Sequence, residues 1–289
     1  MKLRKILSIA TASVMALGMM SMAASAEDVS TTETTTLNNV VLFDGHLATD
    51  DSLSFMPFQL GSGIAGSKIK VTFTPAEGTK VGDVALGIAG KKDDENWTWV
   101  QDPTNPGFEI TDPTTENTVE MTYDEFVTLS GLGNENLRCF VIANWNAKAD
   151  ATTKIELVVP ETTYNVTTLF NGPLTNAEFT PAQLGSGIDG SLIRITFTSS
   201  AEAEKDWVSI GISATEEVAG EDTEWKSENR GFLSVGPEKE ASYTLNYADF
   251  VKLSGLDTAT DYEAFLIQNW KVKEGTIVNI ELLTPAVAE

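Results

Sequence analysis

Polar and apolar residues alternate through Lys68-Ile69-Lys70-Val71-Thr72-Phe73-Thr74, and again through Leu192-Ile193-Arg194-Ile195-Thr196-Phe197-Thr198. A period of two in β-branched residues predicts a half-buried strand in each place. Val84, Leu86 and Ile88 continue the pattern, as do Val208, Ile210 and Ile212. Shorter runs near Val40–Phe43, Thr118–Met121, Phe140–Ile142 and Ile155–Val158 complete the first set, with turn residues such as Gly61-Ser62-Gly63, Gly78 and Pro103 to Pro106 between the runs. One helical turn interrupts the strands. Thr122 suits its N-cap, Glu125 stands three residues on as in a capping box, and Gly131 suits its end. Asn246, Asp249 and Gly255 repeat that signature, with Phe250 and Leu253 placed like Phe126 and Leu129. Seven or eight short strands and one short helix, twice over, predict an all-β chain of two antiparallel, jelly-roll-like β-sandwiches.

The duplication itself is explicit. Gln59-Leu60-Gly61-Ser62-Gly63-Ile64 recurs as Gln183-Leu184-Gly185-Ser186-Gly187-Ile188, an offset of 124 residues. The same offset relates Leu129-Ser130-Gly131-Leu132 to Leu253-Ser254-Gly255-Leu256, while Leu42-Phe43-Asp44-Gly45 meets Leu169-Phe170-Asn171-Gly172 at 127 and Asn144-Trp145 meets Asn269-Trp270 at 125. A tandem repeat follows, with one domain over 37–160 and the other over 165–285, each large enough for its own core. Pro160-Glu161-Thr162-Thr163 is too short a junction for the two to roam independently.

Residues 1–26 change the picture of where the protein works. Lys2, Arg4 and Lys5 precede an apolar stretch from Ile6 to Met22, and Ala24-Ser25-Ala26 offers a cleavage site. This is the layout of a signal peptide, so a secreted or extracellular protein is expected, without membrane insertion after removal. An uncleaved anchor is the rival reading. The Thr- and Glu-rich stretch 27–36 reads as a flexible leader. Cleavage removes three of the 19 basic residues and none of the 42 acidic ones, leaving a formal charge of −26. So acidic a surface repels phosphate backbones and anionic lipid, which disfavours nucleic acid and membrane surfaces as partners; acidic polysaccharides are disfavoured equally. Cys139 is the sole cysteine and His46 the sole histidine, so neither a disulfide, a zinc site nor a Ser-His-Asp hydrolase is expected.

Six tryptophans carry the chemistry. An ungapped comparison from Gly87 to Phe108 and from Gly211 to Phe232 places Trp97 and Trp99 in one copy, and sets Trp225 of the other against Gln101. All share strand parity. Trp207 lies on the small-residue side of its strand, a strip of Ala85, Gly87 and Ala89 in the first copy and Ser209, Gly211 and Ser213 in the second, which reads either as a groove floor or as a plain surface strand. Cys139, Val141, Ala143 and Trp145 share a face, as do Ala264, Leu266, Gln268 and Trp270. Indole faces stack on the apolar C–H faces of pyranoses, and amides such as Gln268, Asn144 and Asn269 bind hydroxyls. Trp97, Trp99, Gln101, Trp145, Trp207, Trp225, Gln268 and Trp270 are the candidate ligand-binding residues. Core packing is the competing reading, evenly weighed for Trp145 and Trp270.

The order Leu-Phe-x-Gly, a Thr-Phe-Thr strand, a strand ending in Gly-Ile, a tryptophan-bearing strand, a short helix, and Asn-Trp before a final Ile-Glu-Leu strand resembles the carbohydrate-binding modules of fibre- and starch-degrading gut Clostridia. The resemblance runs through nearly all of both copies, with Phe43 and Phe170 where that family usually has tryptophan. It implies a non-catalytic carbohydrate-binding protein for a polysaccharide, with structural calcium in some members. No cofactor is otherwise expected, because Asp93-Asp94-Glu95 and Asp257-Thr258 read as solvated turns. The function expected is therefore secreted tandem binding of a neutral polysaccharide, a plant glucan or a related polymer. Two other readings stand beside it. A cell-envelope adhesin or scaffold would turn the same aromatics toward a protein partner. A glycoside hydrolase would need two spaced carboxylates, and few acids persist between the copies: Glu156 with Glu281, and Glu125 with Asp249, the latter pair explained by capping.

Overall fold

A computed structural model describes residues 33–47, 52–82, 84–92, 96, 98–101, 107–133, 137–144, 151–198, 208–216, 225–226, 233–235, 240–253, 255–256, 261–269 and 275–286. The signal-like segment 1–26 and the acidic turns at Asp93 and Asp257 lie outside them. After β1 (Thr34–Thr36), the first copy comprises β2 (Val40–Gly45), β3 (Ser52–Phe55), β4 (Lys68–Thr74), β5 (Val84–Lys92), β6 (Trp99–Val100), β7 (Phe108–Glu109), β8 (Asn117–Met121), α1 (Tyr123–Ser130), β9 (Leu137–Asn144) and β10 (Thr152–Val158). The second comprises β11 (Thr163–Gly172), β12 (Asn176–Phe179), β13 (Leu192–Thr198), β14 (Val208–Glu216), β15 (Trp225–Lys226), β16 (Leu233–Val235), β17 (Glu240–Leu245), α2 (Tyr247–Leu253), β18 (Tyr262–Asn269) and β19 (Ile277–Pro285).

Every strand of one copy has its counterpart in the other. The first copy pairs β2-β10-β4-β8 in one sheet and β3-β9-β5-β6 in the second, with β7 also on β5. The second copy repeats this as β11-β19-β13-β17 and β12-β18-β14-β15, with β16 on β14. All pairings between these strands are antiparallel. The chain is thus all-β apart from its short helices, and it crosses between two facing sheets at most steps, as in a jelly roll. The two- and three-residue strands β6 and β7, and β15 and β16, raise the count above the seven or eight legible in the sequence.

Alternation decides what is buried. Ile69, Val71 and Phe73 of β4 face Leu86 and Ile88 of β5 and Phe140 and Ile142 of β9, and all are buried. Ile193, Ile195 and Phe197 do the same against Ile210, Ile212, Phe265 and Ile267. Each helix adds one ring to its core. Phe126 meets Phe140 edge-on at 5.1 Å, and Phe250 meets Phe265 at 5.4 Å. Burying such a side chain contributes roughly 1.5–3 kcal/mol. Thr122 and Glu125 form the expected reciprocal cap, at 2.7 Å and 3.3 Å, and Gly131 ends α1. His46 is structural too, with Nδ1 2.8 Å from the Ala151 carbonyl.

Two features depart from the sequence reading. Thr34–Thr36, assigned to the flexible leader, is strand β1, and it adds to the sheet of the second copy by pairing with Thr163–Asn165. Its backbone groups find partners on the open edge of β11, which outweighs a composition that favours disorder. Asp249, the expected partner in a second capping box, has a different task. Asn246 Oδ1 accepts from the Asp249 backbone N–H at 2.7 Å, but the Asp249 carboxylate accepts from Ser62 Oγ of the first copy at 2.8 Å.

That bond belongs to an extensive contact between the copies. Phe58, in the 3-10 turn Pro57–Leu60, is only 5% exposed and sits in the core of the second copy. It meets Tyr243 edge-on at 6.1 Å. In return Tyr164, Leu192 and Leu283 of the second copy join the first core. Tyr123 reaches toward the same junction, and burial there, with the charges of Asp249 and Asp124, pushes its hydroxyl up to about 12. Among the described residues no helix is long and apolar enough to cross a membrane.

Candidate functional site

The candidate site lies on the outer face of the second sheet in each copy, where the register fixes which residues are neighbours. In the first copy Trp99 stands opposite Lys91, which stands opposite Cys139. The next row is Ala89, Val141 and Ser54, and the third is Gly87, Ala143 and Ser52. In the second copy Trp225 stands opposite Thr215, followed by Ala264; then come Ser213, Leu266 and Glu178, and finally Gly211, Gln268 and Asn176. Cross-strand partners share a face, so each set forms one surface.

This register corrects the ungapped comparison. Lys91 and Thr215 are equivalent residues of β5 and β14, and each holds a tryptophan opposite it. Trp99 and Trp225 therefore occupy the same place, and Trp225 is not the counterpart of Gln101. The cause is a pair of opposed, unequal length changes. Six residues separate Lys92 from Trp99, whereas eight separate Glu216 from Trp225. Beyond the tryptophan one residue is lost, because Phe108 pairs with Leu86 while Leu233, not Phe232, pairs with Ile210. Each tryptophan rides on a two-residue edge strand whose single row of hydrogen bonds holds it beside the sheet.

Trp99 is 50% exposed. Such an indole, at the sheet edge, is out of the core and open to a partner. Gln101, just beyond β6, is exposed as well. Gln268 is half-buried in β18, with Gly211 on one side and Asn176 on the other. Gln268 and Asn176 are thus brought to one face. Trp97, Trp145, Trp207 and Trp270 lie outside the described residues.

The strip of small residues is not an accessible floor. Ala89, Ser213 and Thr215 are 3%, 4% and 3% exposed, and Ala89 is packed with Cys139 and Val141 in a small cluster outside the main core. Burial raises the Cys139 thiol above its ordinary value, only partly offset by Lys91, Arg138 and a hydrogen bond with Ser54, so it is an inert packing residue.

Sequence reasoning missed Asn176 and Glu178. Both are exposed, and the register sets them on the same face as Gln268. A signal was available in Asn176-Ala177-Glu178-Phe179, where Phe179 is buried and the alternate polar residues must point the other way. At about 3.3 Å per residue and about 4.8 Å per strand, Trp225 and Asn176 lie at opposite corners of a patch roughly 13 Å by 14 Å.

Carboxylates common to both copies are occupied elsewhere. Glu281 pairs with Arg194 at 2.6 Å and Glu156 with Lys154 at 2.7 Å, both on the other sheet. Among the described residues no group of three or more His, Cys, Asp or Glu side chains is placed to hold a metal ion. A cavity of about 530 Å³ lies at the junction of the copies, lined by Ala65, Ile188, Asp189, Asn246 and Tyr247 among others.

No family model matches the chain, and no curated relative matches it. Similar solved structures include the N-terminal CBM22-1–CBM22-2 tandem domain of Xyn10C from Paenibacillus barcinonensis, at 11% identity over 96% of this chain and 100% of that one, with a TM-score of 0.23. The major capsid protein P2 of bacteriophage PM2 follows at 12% identity over 89% and 98%, with a TM-score of 0.21. PNGase F, a glycosylasparaginase from Flavobacterium meningosepticum, shows 13% identity over 89% and 100%, with a TM-score of 0.23. A module, a capsid protein and an enzyme at equally low scores assign this chain to none of their families.

Proposed function

We propose that this protein is a secreted, non-catalytic tandem receptor for a neutral polysaccharide, held by the tryptophan edge of the second sheet in each copy. One observation carries the reading. The same two-residue edge strand presents Trp99 in one copy and Trp225 in the other at the same register, and Trp99 is half in water. A scaffold that needed the ring for its own stability would bury it. An indole retained at an open sheet edge through duplication and two loop-length changes suits a flat apolar ligand face, such as a pyranose ring presents. The strongly acidic chain favours neutral polymers over acidic ones. Of the acids repeated between the copies, Glu156 and Glu281 are tied into ion pairs away from this face, Glu125 caps α1 and Asp249 accepts from Ser62, which supports binding without catalysis. Two such edges on one chain gain avidity on a repetitive polymer.

The test is retardation of the mature chain in native gels cast with hydroxyethylcellulose, xyloglucan, mannan, xylan or glycogen. At least one neutral polymer is expected to slow it, and Trp99→Ala together with Trp225→Ala is expected to abolish the effect. If no polymer retards the wild-type chain, the reading fails and a protein partner at the cell envelope takes its place.

A further inference from the structure

We infer that the two copies are unequal receptors: the second selects its sugar through Asn176, Glu178 and Gln268, whereas the first has only Ser52, Ser54 and Ala143 at those positions. This rests on the polysaccharide reading of the same faces. The register lets the copies be compared residue by residue. Asn176, Glu178 and Gln268 are the counterparts of Ser52, Ser54 and Ala143. Two amides and a carboxylate therefore stand where the first copy has two hydroxymethyl groups and a methyl.

Reach and availability separate the two faces. Asn176 and Glu178 are exposed, and Gln268 is half-buried between Gly211 and Asn176. In the first copy Ser52 and Ser54 are half-buried, and Ser54 is hydrogen-bonded to Cys139. Beside them Val141, Cys139 and Ala89 close into a buried cluster. Of its second-copy counterparts, Leu266 and Ala264 are half-buried and Ser213 is 4% exposed. No side chain in those two rows of the first face extends far enough to meet a sugar hydroxyl above Trp99.

The chemistry of the second face defines its ligand class. A carboxylate has two acceptor oxygens and takes hydrogen bonds from two adjacent hydroxyls, while an amide both donates and accepts. Glu178 thus favours neutral pyranoses with free vicinal hydroxyls, and repels uronic acids by like charge. A sugar that lacks the matching hydroxyls leaves these groups unpaired when they are covered. That penalty is the usual source of strong discrimination at a polar site.

The experiment uses the mature chain and the five gel polymers named above. The triple variant Asn176→Ala, Glu178→Ala, Gln268→Ala should weaken retardation by about tenfold or more in dissociation constant and flatten the preference among polymers. The single Glu178→Gln variant should weaken neutral binding less than the triple variant does. Ser52→Ala with Ser54→Ala should leave both affinity and preference unchanged. Trp99→Ala should lower retardation while preserving the rank order of polymers. All the second-copy changes are at exposed or half-buried positions, and an unchanged thermal midpoint verifies their folding. The inference is overturned if the triple variant keeps the wild-type rank order, or if the serine pair or Trp99→Ala changes it. Absence of any wild-type retardation is a different outcome: it removes the polysaccharide reading itself, and this inference with it.

Discussion

Phe58→Ala isolates the contact between the copies, because the repeat supplies its own control. The residue equivalent to Phe58 is Ala182, so the sandwich folds with alanine at this place and does not need the ring. What the ring does is occupy the core of the second copy, with 5% of its surface exposed and Tyr243 edge-on at 6.1 Å. Removing a buried phenylalanine costs about 3–5 kcal/mol, since lost transfer energy and an unfilled cavity add. In a unit of this size that lowers the melting midpoint by about 6–20 °C, at about 2–4 °C per kcal/mol. The loss falls on the coupling between the copies, so scanning calorimetry of the mature chain should change from one transition to two. A double-mutant cycle with Tyr243→Ala should return a coupling of about 0.5–1.5 kcal/mol for the aromatic pair. A single transition that moves by less than about 2 °C would refute the reasoning, and the copies would then be independent beads whose contact is incidental.

Two further perturbations probe the same junction. Burial raises the Asp249 carboxyl above its ordinary value of 3.8, with Ser62 and Lys252 pulling the other way. Its charge therefore lowers stability at neutral pH, the stabilising neutral form being lost as pH rises past the shifted value. Asp249→Asn, which keeps an acceptor for Ser62, should raise the midpoint at pH 7, with the gain vanishing below about pH 3.8; a gain equal at pH 3 and pH 7 in thermal melts would contradict this. Gly63→Ala and Gly187→Ala form a matched pair. A methyl at Gly63 would lie 2.6 Å from Asp249 Oδ2 and 2.7 Å from Asn246 Cγ, whereas one at Gly187 meets nothing within 4 Å and bears only the cost of φ +78. That cost is about 1–2 kcal/mol, so urea melts should show the larger loss at Gly63, and the reverse order would count against the packing described.

Much of the fold was legible because it depends on local rules. Strict alternation in β4 and β13 fixes which side chains enter the core, and Thr122 with Glu125 announces α1. The candidate site was less legible. Its rows join β5, β6, β9 and β3, or their counterparts, and such pairings depend on register rather than on any local pattern. An ungapped match between Gly87–Phe108 and Gly211–Phe232 concealed a two-residue gain and a one-residue loss in the polar loops, and so separated two tryptophans that share one position. Once β15 is paired with β14, Trp225 falls opposite Thr215 as Trp99 falls opposite Lys91.

The junction between the copies also left a mark in the sequence, of a kind that only a repeat can carry. Where two copies fold alike, a large apolar residue present in one and absent from the other is not demanded by the common scaffold. Phe58 against Ala182 is such a pair, and so is Tyr243 against Val119. Both large members lie at the contact, and both small ones lie away from it; Val119 is partly in water. The asymmetry of a duplicated chain thus separates what the fold requires from what the pairing of its copies requires. By the same logic Asn176 and Glu178, exposed where the first copy has the half-buried Ser52 and Ser54, are not demanded by the common scaffold.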